Sequence, residues 1–356
     1  MKKRWILCLI LLVLGIAGGS FYRQEPIGED SSFEIHYIDV GQADAALVLC
    51  DGQAMLIDGG NKADSSLIYT YLKQRGIDHL DYMVCTHPHE DHAGGLAGAL
   101  NYASVGVAYA PMAEYDNESF GNFKKYLEKQ NVEITVPEAG ESFFLGSAEV
   151  TVMGPAGADA GTKLNNTSIV LRIVYGETSF LFTGDAEREE EQAILGAGYR
   201  LRSTVLKVGH HGGATSTTYP FLREVMPQYA VISVGAGNTY GHPANEVLGR
   251  LRDADVKVYR TDRQGTVVCS SDGKNVSFSA ATQEAASREV VQMTEPDETV
   301  GTTPDADYVL NTKSMKFHRP SCQSVCDMKE TNKSFFTGTR EELVEQGYSP
   351  CGRCKP

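Results

Sequence analysis

The chain has 356 residues, 42% of them hydrophobic and 22% charged, which excludes a wholly disordered protein and allows two domains or one large domain with appendages. Its 36 glycines follow no three-residue period, which excludes a collagen-like chain. The formal charge of −14 gives no bulk attraction for nucleic acid or anionic membrane, although bound metal ions can supply local positive charge to a polyanionic substrate.

In chain order, Lys2, Lys3 and Arg4 precede an unbroken apolar run, Trp5 to Ala17, and then Gly18, Gly19 and Ser20. A basic start, a short apolar stretch and small residues describe a secretory signal peptide, and the run is shorter than the ~20 residues of a spanning helix. Residues 1–20 are therefore expected to be a signal peptide or an uncleaved N-terminal anchor, and the protein extracellular or at the cell surface. Cys8 lies too early for a lipid-modified cleavage site. Residues 21–32 read as a polar spacer.

From Phe33 to about Ala280, strand-like and helix-like stretches alternate. Phe33–Val40, Ala45–Leu49 and Ala54–Ile57 are short β-type runs bounded by Gly and Asp. Ala63–Gly76 reads as a helix ended by its glycine. Tyr82–Cys85 is a buried strand that leads into a His-rich loop. Ala148–Met153, Ser168–Val174 and Ser179–Phe182 are further strands, and Ala186–Leu195 is an acidic helix. Val205–Val208 and Ala230–Val234 are apolar strands, followed by a helix over Ala244–Arg252. Several strands before the first helix argue against a simple βαβ repeat and for an α/β sandwich of mixed sheets with helices outside. Residues 281–304, rich in Thr and acid, read as a linker, and residues 305–356 as a small second module.

The strongest chemical signal is Thr86-His-Pro-His-Glu-Asp-His-Ala-Gly-Gly95. A loop at a strand end can aim alternate side chains at two neighbouring points. His87 and His89 can share one divalent ion, Asp91 and His92 a second, and these are ligand types for Zn²⁺ or Mn²⁺. This loop resembles the HxHxDH motif of the metallo-β-lactamase superfamily. The nearer resemblance is to the hydrolase domain of ComEC-type DNA-uptake proteins. It is carried by Asp39-Val-Gly-Gln-Ala-Asp-Ala45, Leu56-Ile-Asp-Gly-Gly60, Asn165-Asn-Thr-Ser168, Phe182-Thr-Gly-Asp185, Lys207-Val-Gly-His-His-Gly-Gly213 and Tyr240-Gly-His-Pro243, in family order over about residues 33–280.

The resemblance implies an αββα sandwich and metal-assisted hydrolysis. Asp185, at the exposed end of a strand, would bridge the two ions and accept the proton. His210 or His211 would complete the second site; His210 is favoured, since the following His-Gly-Gly then forms the tight turn. Many superfamily members place a histidine where this chain has Asn165, which can ligate weakly or hold a water and favours a harder ion such as Mn²⁺ there. Asp58 is expected to orient a ligand histidine. Asp44 is read as ligand support or substrate positioning. Lys207 and His242 are candidates for phosphate contact or leaving-group protonation, and Asn238 and Ser216 for lining the cleft.

Four of the eight cysteines fall within residues 322–354. Cys351-x-x-Cys354 can grip one side of a tetrahedral Zn²⁺, and His318-x₃-Cys322 the other, with Cys326 a spare. Disulfides are the competing reading in a secreted protein, although a Cys-x-x-Cys ring closes almost no loop. Over about residues 308–356 the pattern resembles the zinc domain of the Ada DNA-repair protein, with His318 where that domain has its methyl-accepting cysteine; structural zinc remains implied and methyl transfer does not. Residues 305–356 hold eight Lys+Arg against seven Asp+Glu, a net of +1 against −15 elsewhere.

Together these features point to a secreted or surface-anchored hydrolase with two divalent ions and one structural zinc. Its expected substrate is DNA or another phosphodiester polymer. The alternatives are a teichoic-acid or phosphocholine phosphodiesterase, a hydrolase of a small lactam, lactone or thioester, and a non-catalytic wall- or DNA-binding zinc protein. Fold alone does not choose among them.

Overall fold

A computed structural model describes residues 32–157, 163–280 and 306–354, the last span without residues 320, 321, 327, 339, 341, 342, 344, 345, 352 and 353. The expected signal or anchor (residues 1–20) and the expected linker (281–304) lie outside the described residues. Six strands come first: β1 (Phe33–Tyr37), β2 (Ala46–Cys50), β3 (Gln53–Ile57), β4 (His79–Val84), β5 (Ser104–Tyr109) and β6 (Ile134–Thr135). Then come β7 (Ser142–Leu145), β8 (Ala148–Gly154), β9 (Val170–Tyr175), β10 (Thr178–Phe182), β11 (Val205–Lys207), β12 (Tyr229–Ile232) and β13 (Lys257–Arg260), followed by β14 (Val267–Ser271) and β15 (Val276–Ala280). One sheet runs β15-β14-β1-β2-β3-β4-β5-β6 and the other β13-β12-β11-β10-β9-β8-β7.

Alternation along each strand builds four layers. Phe33, Ile35 and Tyr37 on β1, Val48 on β2 and Met55 on β3 meet Leu171 and Ile173 on β9 and Phe180 and Phe182 on β10 in one buried cluster between the sheets. The opposite parity of the first sheet, Leu47 and Leu56 among it, packs under helices α1 (Ser65–Arg75), α2 (Glu90–Ala93), α3 (Leu96–Leu100) and α4 (Glu118–Lys129). On the second sheet, Leu181, Leu206, Ala230 and Ile232 pack under α5 (Arg188–Gly196), α6 (Tyr219–Val225) and α7 (Asn245–Asp253). Strands apolar on both faces, as these are, belong to sheets covered on both sides.

The expected strands and helices are present with ends shifted by a few residues. Helix α4 lies outside the expected elements although its signals are plain: Asn117 caps it by accepting from Phe120 N at 2.7 Å, and Phe120, Phe123 and Leu127 form its buried stripe. The tail forms a separate sheet of β16 (Ala306–Asn311), β17 (Lys316–His318), β18 (Lys333–Gly338) and β19 (Ser349–Pro350) in the order β18-β16-β17-β19. Its described core is Leu310, Phe317 and Leu343, too little apolar area to hold so small a unit without a staple. Among the described residues, no helix is long and apolar enough to cross a membrane.

Candidate metal centre

The centre lies where strand ends of both sheets converge. Pairs β3–β4, β10–β11 and β11–β12 are parallel, so their C-terminal ends deliver Asp58, the Thr86–His92 loop, Asp185 and His210–His211 to one rim of the sandwich. Ligand sites at the carboxyl ends of parallel strands are the rule in open α/β sheets. Gly95 lets the His-rich loop close on the first sheet: a Cβ there would stand 1.8 Å from the Gly59 carbonyl oxygen.

Asp58 is fully buried beneath this loop. It accepts from Thr86 N at 2.8 Å, from Thr86 Oγ1 at 2.7 Å and from His92 Nδ1 at 2.8 Å. With its Nδ1 proton donated there, His92 presents a bare Nε2 that is buried without a hydrogen-bond partner, 3.3 Å from Asp185 Oδ1. Asp185 Oδ1 is equally orphaned. His211 repeats the pattern. Its Nδ1 donates to the Ser233 carbonyl at 3.1 Å and lies 3.2 Å from Asp44 Oδ1, while Nε2 stands 3.2 Å from Asp91 Oδ2 and 3.7 Å from Asp185 Oδ2. Ligand atoms of Asp91, His92, Asp185 and His211 all lie within 4.8 Å of one another. Bonds of ~2.0–2.2 Å to one tetrahedral ion put ligand atoms about 3.4 Å apart, so this set can hold a divalent ion with little movement.

On the other side of Asp185, His87 Nε2 and His89 Nδ1 are 3.0 Å apart, and His87 Nε2 is 3.9 Å from Asp185 Oδ2. Asp185 is thus the carboxylate shared between two groups of ligand atoms. Asn165 donates from Nδ2 to Glu187 Oε1 at 3.2 Å, which leaves its Oδ1 as a buried acceptor without a partner. That oxygen suits a water or a hard cation.

The preference for His210 is corrected. His210 and His211 both adopt left-handed backbone, φ 51° and 53°, which splays the adjacent rings apart. His211, 2% exposed, enters the four-residue cluster; His210, with a side chain 25% exposed, stands outside it with Nε2 3.8 Å from Asp185 Oδ2 and Nδ1 3.7 Å from Glu187 Oε1.

Lys207 is also corrected. It shares the parity of Val205 on β11 and so points between the sheets, 3% exposed, with Nζ donating to Asp44 Oδ2 at 2.7 Å and to the Val208 carbonyl at 3.1 Å. Its ammonium is thus committed to partners inside the sandwich. Asp44 is buried beneath the centre, with Oδ1 3.2 Å from His211 Nδ1. Ser216 is fully buried and donates to the Ala186 carbonyl at 2.7 Å, so it does not line the cleft. Asn238 acts inside its loop, accepting from Tyr240 N and His242 N while donating to the Gly235 and His242 carbonyls.

His242 is half-buried beside His210. Its ring centroid is 5.3 Å from that of His210, and its Nδ1 accepts from Gln42 Nε2 at 3.4 Å, an amide fixed by Gly235 N donating to Gln42 Oε1 at 3.1 Å. The proton therefore sits on Nε2. Burial, then His210 and His211, pushes the pKa of His242 down to about 4 and keeps it neutral. Burial opposes a charged His211, but the Asp185 and Asp44 carboxylates outweigh it and lift its pKa to about 10. Burial also opposes an ionised Asp185, yet His92 and His211 hold its pKa well below the usual carboxylate range.

The metal-centre loop has an anchor that sequence reading missed. Glu191 on α5 is buried and accepts from Thr217 N, from Thr218 N at 2.9 Å and from the Thr218 hydroxyl, which fixes the chain just after His210–Gly213.

The sequence profile of the metallo-beta-lactamase superfamily matches residues 38–236. The chain belongs to the metallo-β-lactamase superfamily. Within that superfamily it is 30% identical over 255 residues to ComE operon protein 3 of Bacillus subtilis, covering 67% of this chain and 33% of that protein. It is 32% identical over 257 residues to the competence protein ComA of Neisseria gonorrhoeae, covering 72% of this chain and 34% of that one. Recombination protein 2 of Haemophilus influenzae is 30% identical over 243 residues, 66% of this chain and 28% of that protein. The chain thus spans about a third of the length of the curated relatives it matches. It carries the hydrolase domain of the superfamily, with His and Asp side chains grouped as divalent-ion ligands.

A second cluster lies in the tail. Ligand atoms of His318, Cys322, Cys351 and Cys354 all lie within 4.8 Å of one another. Cys322 Sγ and Cys351 Sγ are 4.0 Å apart, near the edge of a tetrahedron with ~2.3 Å Zn–S bonds and twice a disulfide length. Both ring nitrogens of His318 are buried without a partner. The side chain of Cys326 lies outside the described part.

Proposed function

We propose that this chain is a metal-dependent phosphodiesterase with two divalent ions, acting on DNA. The observation that carries the reading is Asp185, a buried carboxylate with an orphaned oxygen, flanked by His87 and His89 on one side and by Asp91, His92 and His211 on the other. The competence and recombination proteins among its relatives favour DNA over other phosphodiesters. His87 and His89 on one side and Asp91, His92 and His211 on the other would hold divalent ions, which would supply Lewis acidity and lower the pKa of a bound water. Asp185 then accepts the water's proton. The Nε2–H of His242 donates to a phosphate oxygen or to the leaving group. Asp58 fixes the tautomer of His92 and the Ser233 carbonyl that of His211, the Asp44 carboxylate lies beside the His211 ring, and Glu191 fixes the loop. Asn165 in place of a histidine favours Mn²⁺ in the first position.

In the same reading, residues 305–356 are a module stapled by one Zn²⁺ on His318, Cys322, Cys351 and Cys354. Residues 1–20 direct the protein to the cell surface or beyond. The test is purified protein lacking residues 1–20, assayed on DNA and on bis-nitrophenyl phosphate with Mn²⁺ or Zn²⁺. Hydrolysis of both, abolished by chelator and by Asp185→Ala, is expected. Hydrolysis of a lactam, a thioester or a phosphocholine ester with DNA left intact would overturn the reading.

A further inference from the structure

We propose that Tyr240 is a stacking platform for an unpaired nucleobase next to the scissile phosphate, which makes single-stranded DNA the preferred substrate. This rests on the DNA phosphodiesterase reading. Tyr240 is 72% exposed, the most open of the large apolar side chains among the described residues. Its ring lies nearly parallel to His242, 5.8 Å between centroids at 28°, and His242 lies nearly parallel to His211, 6.4 Å at 28°. A row of flat rings thus leads from the metal centre to solvent and ends on a bare aromatic face.

The loop that carries it is rigid in construction. The Asn238 side chain bonds to both neighbours of the turn, and Gly237 and Gly241 take left-handed backbone, φ 65° and 72°. Gln42 ties His242 to the opposite sheet's first loop. A mobile loop could fold an exposed tyrosine away from water; this one holds it out. One flat face in a loop braced by the amides of Asn238 and Gln42 suits the π-face of a base. A cationic headgroup would call for several rings or carboxylates around it. Bases in a duplex are already stacked on one another, so only an unpaired base can lie on Tyr240.

The experiment compares parent, Tyr240→Ala and Tyr240→Trp on a thymidine 12-mer, its duplex with adenosine and a 12-mer of the same backbone lacking bases. Loss of one base–aromatic stack should raise the KM of Tyr240→Ala for the thymidine strand about 5- to 150-fold with kcat little changed, and Tyr240→Trp should restore it. On the abasic strand the parent and Tyr240→Ala should have the same KM. A parent that cleaves the thymidine strand while Tyr240→Ala keeps its KM overturns the platform alone. So does an equal rise on the base-bearing and abasic strands, which marks a structural role, and so does a parent preference for duplex. A parent that hydrolyses bis-nitrophenyl phosphate but none of the three DNAs overturns the DNA reading itself, and the platform with it.

Discussion

Lys207→Met tests the buried pair beneath the metal centre. Lys207 Nζ and Asp44 Oδ2 are 2.7 Å apart, and their side chains are 4% and 7% exposed. Removing the cation leaves the Asp44 carboxylate inside the sandwich with only the His211 ring beside it, at a cost of about 3–5 kcal/mol. At about 2–4 °C per kcal/mol for a domain of this size, the midpoint of thermal unfolding should fall by roughly 6–20 °C. The double variant Asp44→Ala/Lys207→Met has no buried charge at this position and should recover most of that loss. Metal affinity should behave differently, because Asp44 also sits 3.2 Å from His211 Nδ1. Loss of such a supporting carboxylate should weaken binding about 10–100-fold in Asp44→Ala and equally in the double variant. Calorimetric unfolding and Mn²⁺ titration read the two effects separately. Lys207→Met as stable as the parent, or Asp44→Ala with the parent's affinity, would refute this placement of the pair.

His211→Ala should lose one divalent ion per chain by metal analysis, whereas His210→Ala should keep the parent stoichiometry. Glu191→Ala strands three buried donors at the loop 217–218 and should destabilise the domain by about 1–3 kcal/mol in urea unfolding. In the tail, a strong chelator should remove one zinc from the full chain and open residues 306–354 to protease, while mild reductant should leave them protected. Cys354→Ser should mimic the chelator; protection lost in reductant but kept in chelator would assign disulfides instead.

Much of the hydrolase fold is legible because its strands are short, apolar on both faces and punctuated by Gly and Asp. The ligands in the His-rich loop are legible for another reason: they are neighbours in sequence, so one turn of loop brings them together. What could not be read depends on direction and on distance along the chain. His210 and His211 differ by one residue, and only the two left-handed backbone positions decide which ring turns inward. Lys207 reads as a phosphate contact until its parity with Val205 is noticed, and its partner is 163 residues away. Glu191 is one of several acids in its helix turn, and its burial follows from hydrogen bonds to Thr217 and Thr218. Ser216 and Asn238 look like cleft residues because their motifs border it, yet their hydrogen bonds turn them into the loops. In the tail, Cys351 and Cys354 were readable by their x₂ spacing, and His318 and Cys322 by their x₃ spacing.

The most direct measurement is the initial rate of single-stranded DNA hydrolysis as Mn²⁺ is added to metal-stripped protein whose tail holds its zinc. With Asp185 shared between two ions, the rate should stay near background through the first equivalent and reach its plateau at about two. A full rate at one equivalent, or Asp185→Ala with parent activity at any Mn²⁺ concentration, would contradict a centre in which that carboxylate joins two metals for phosphodiester hydrolysis.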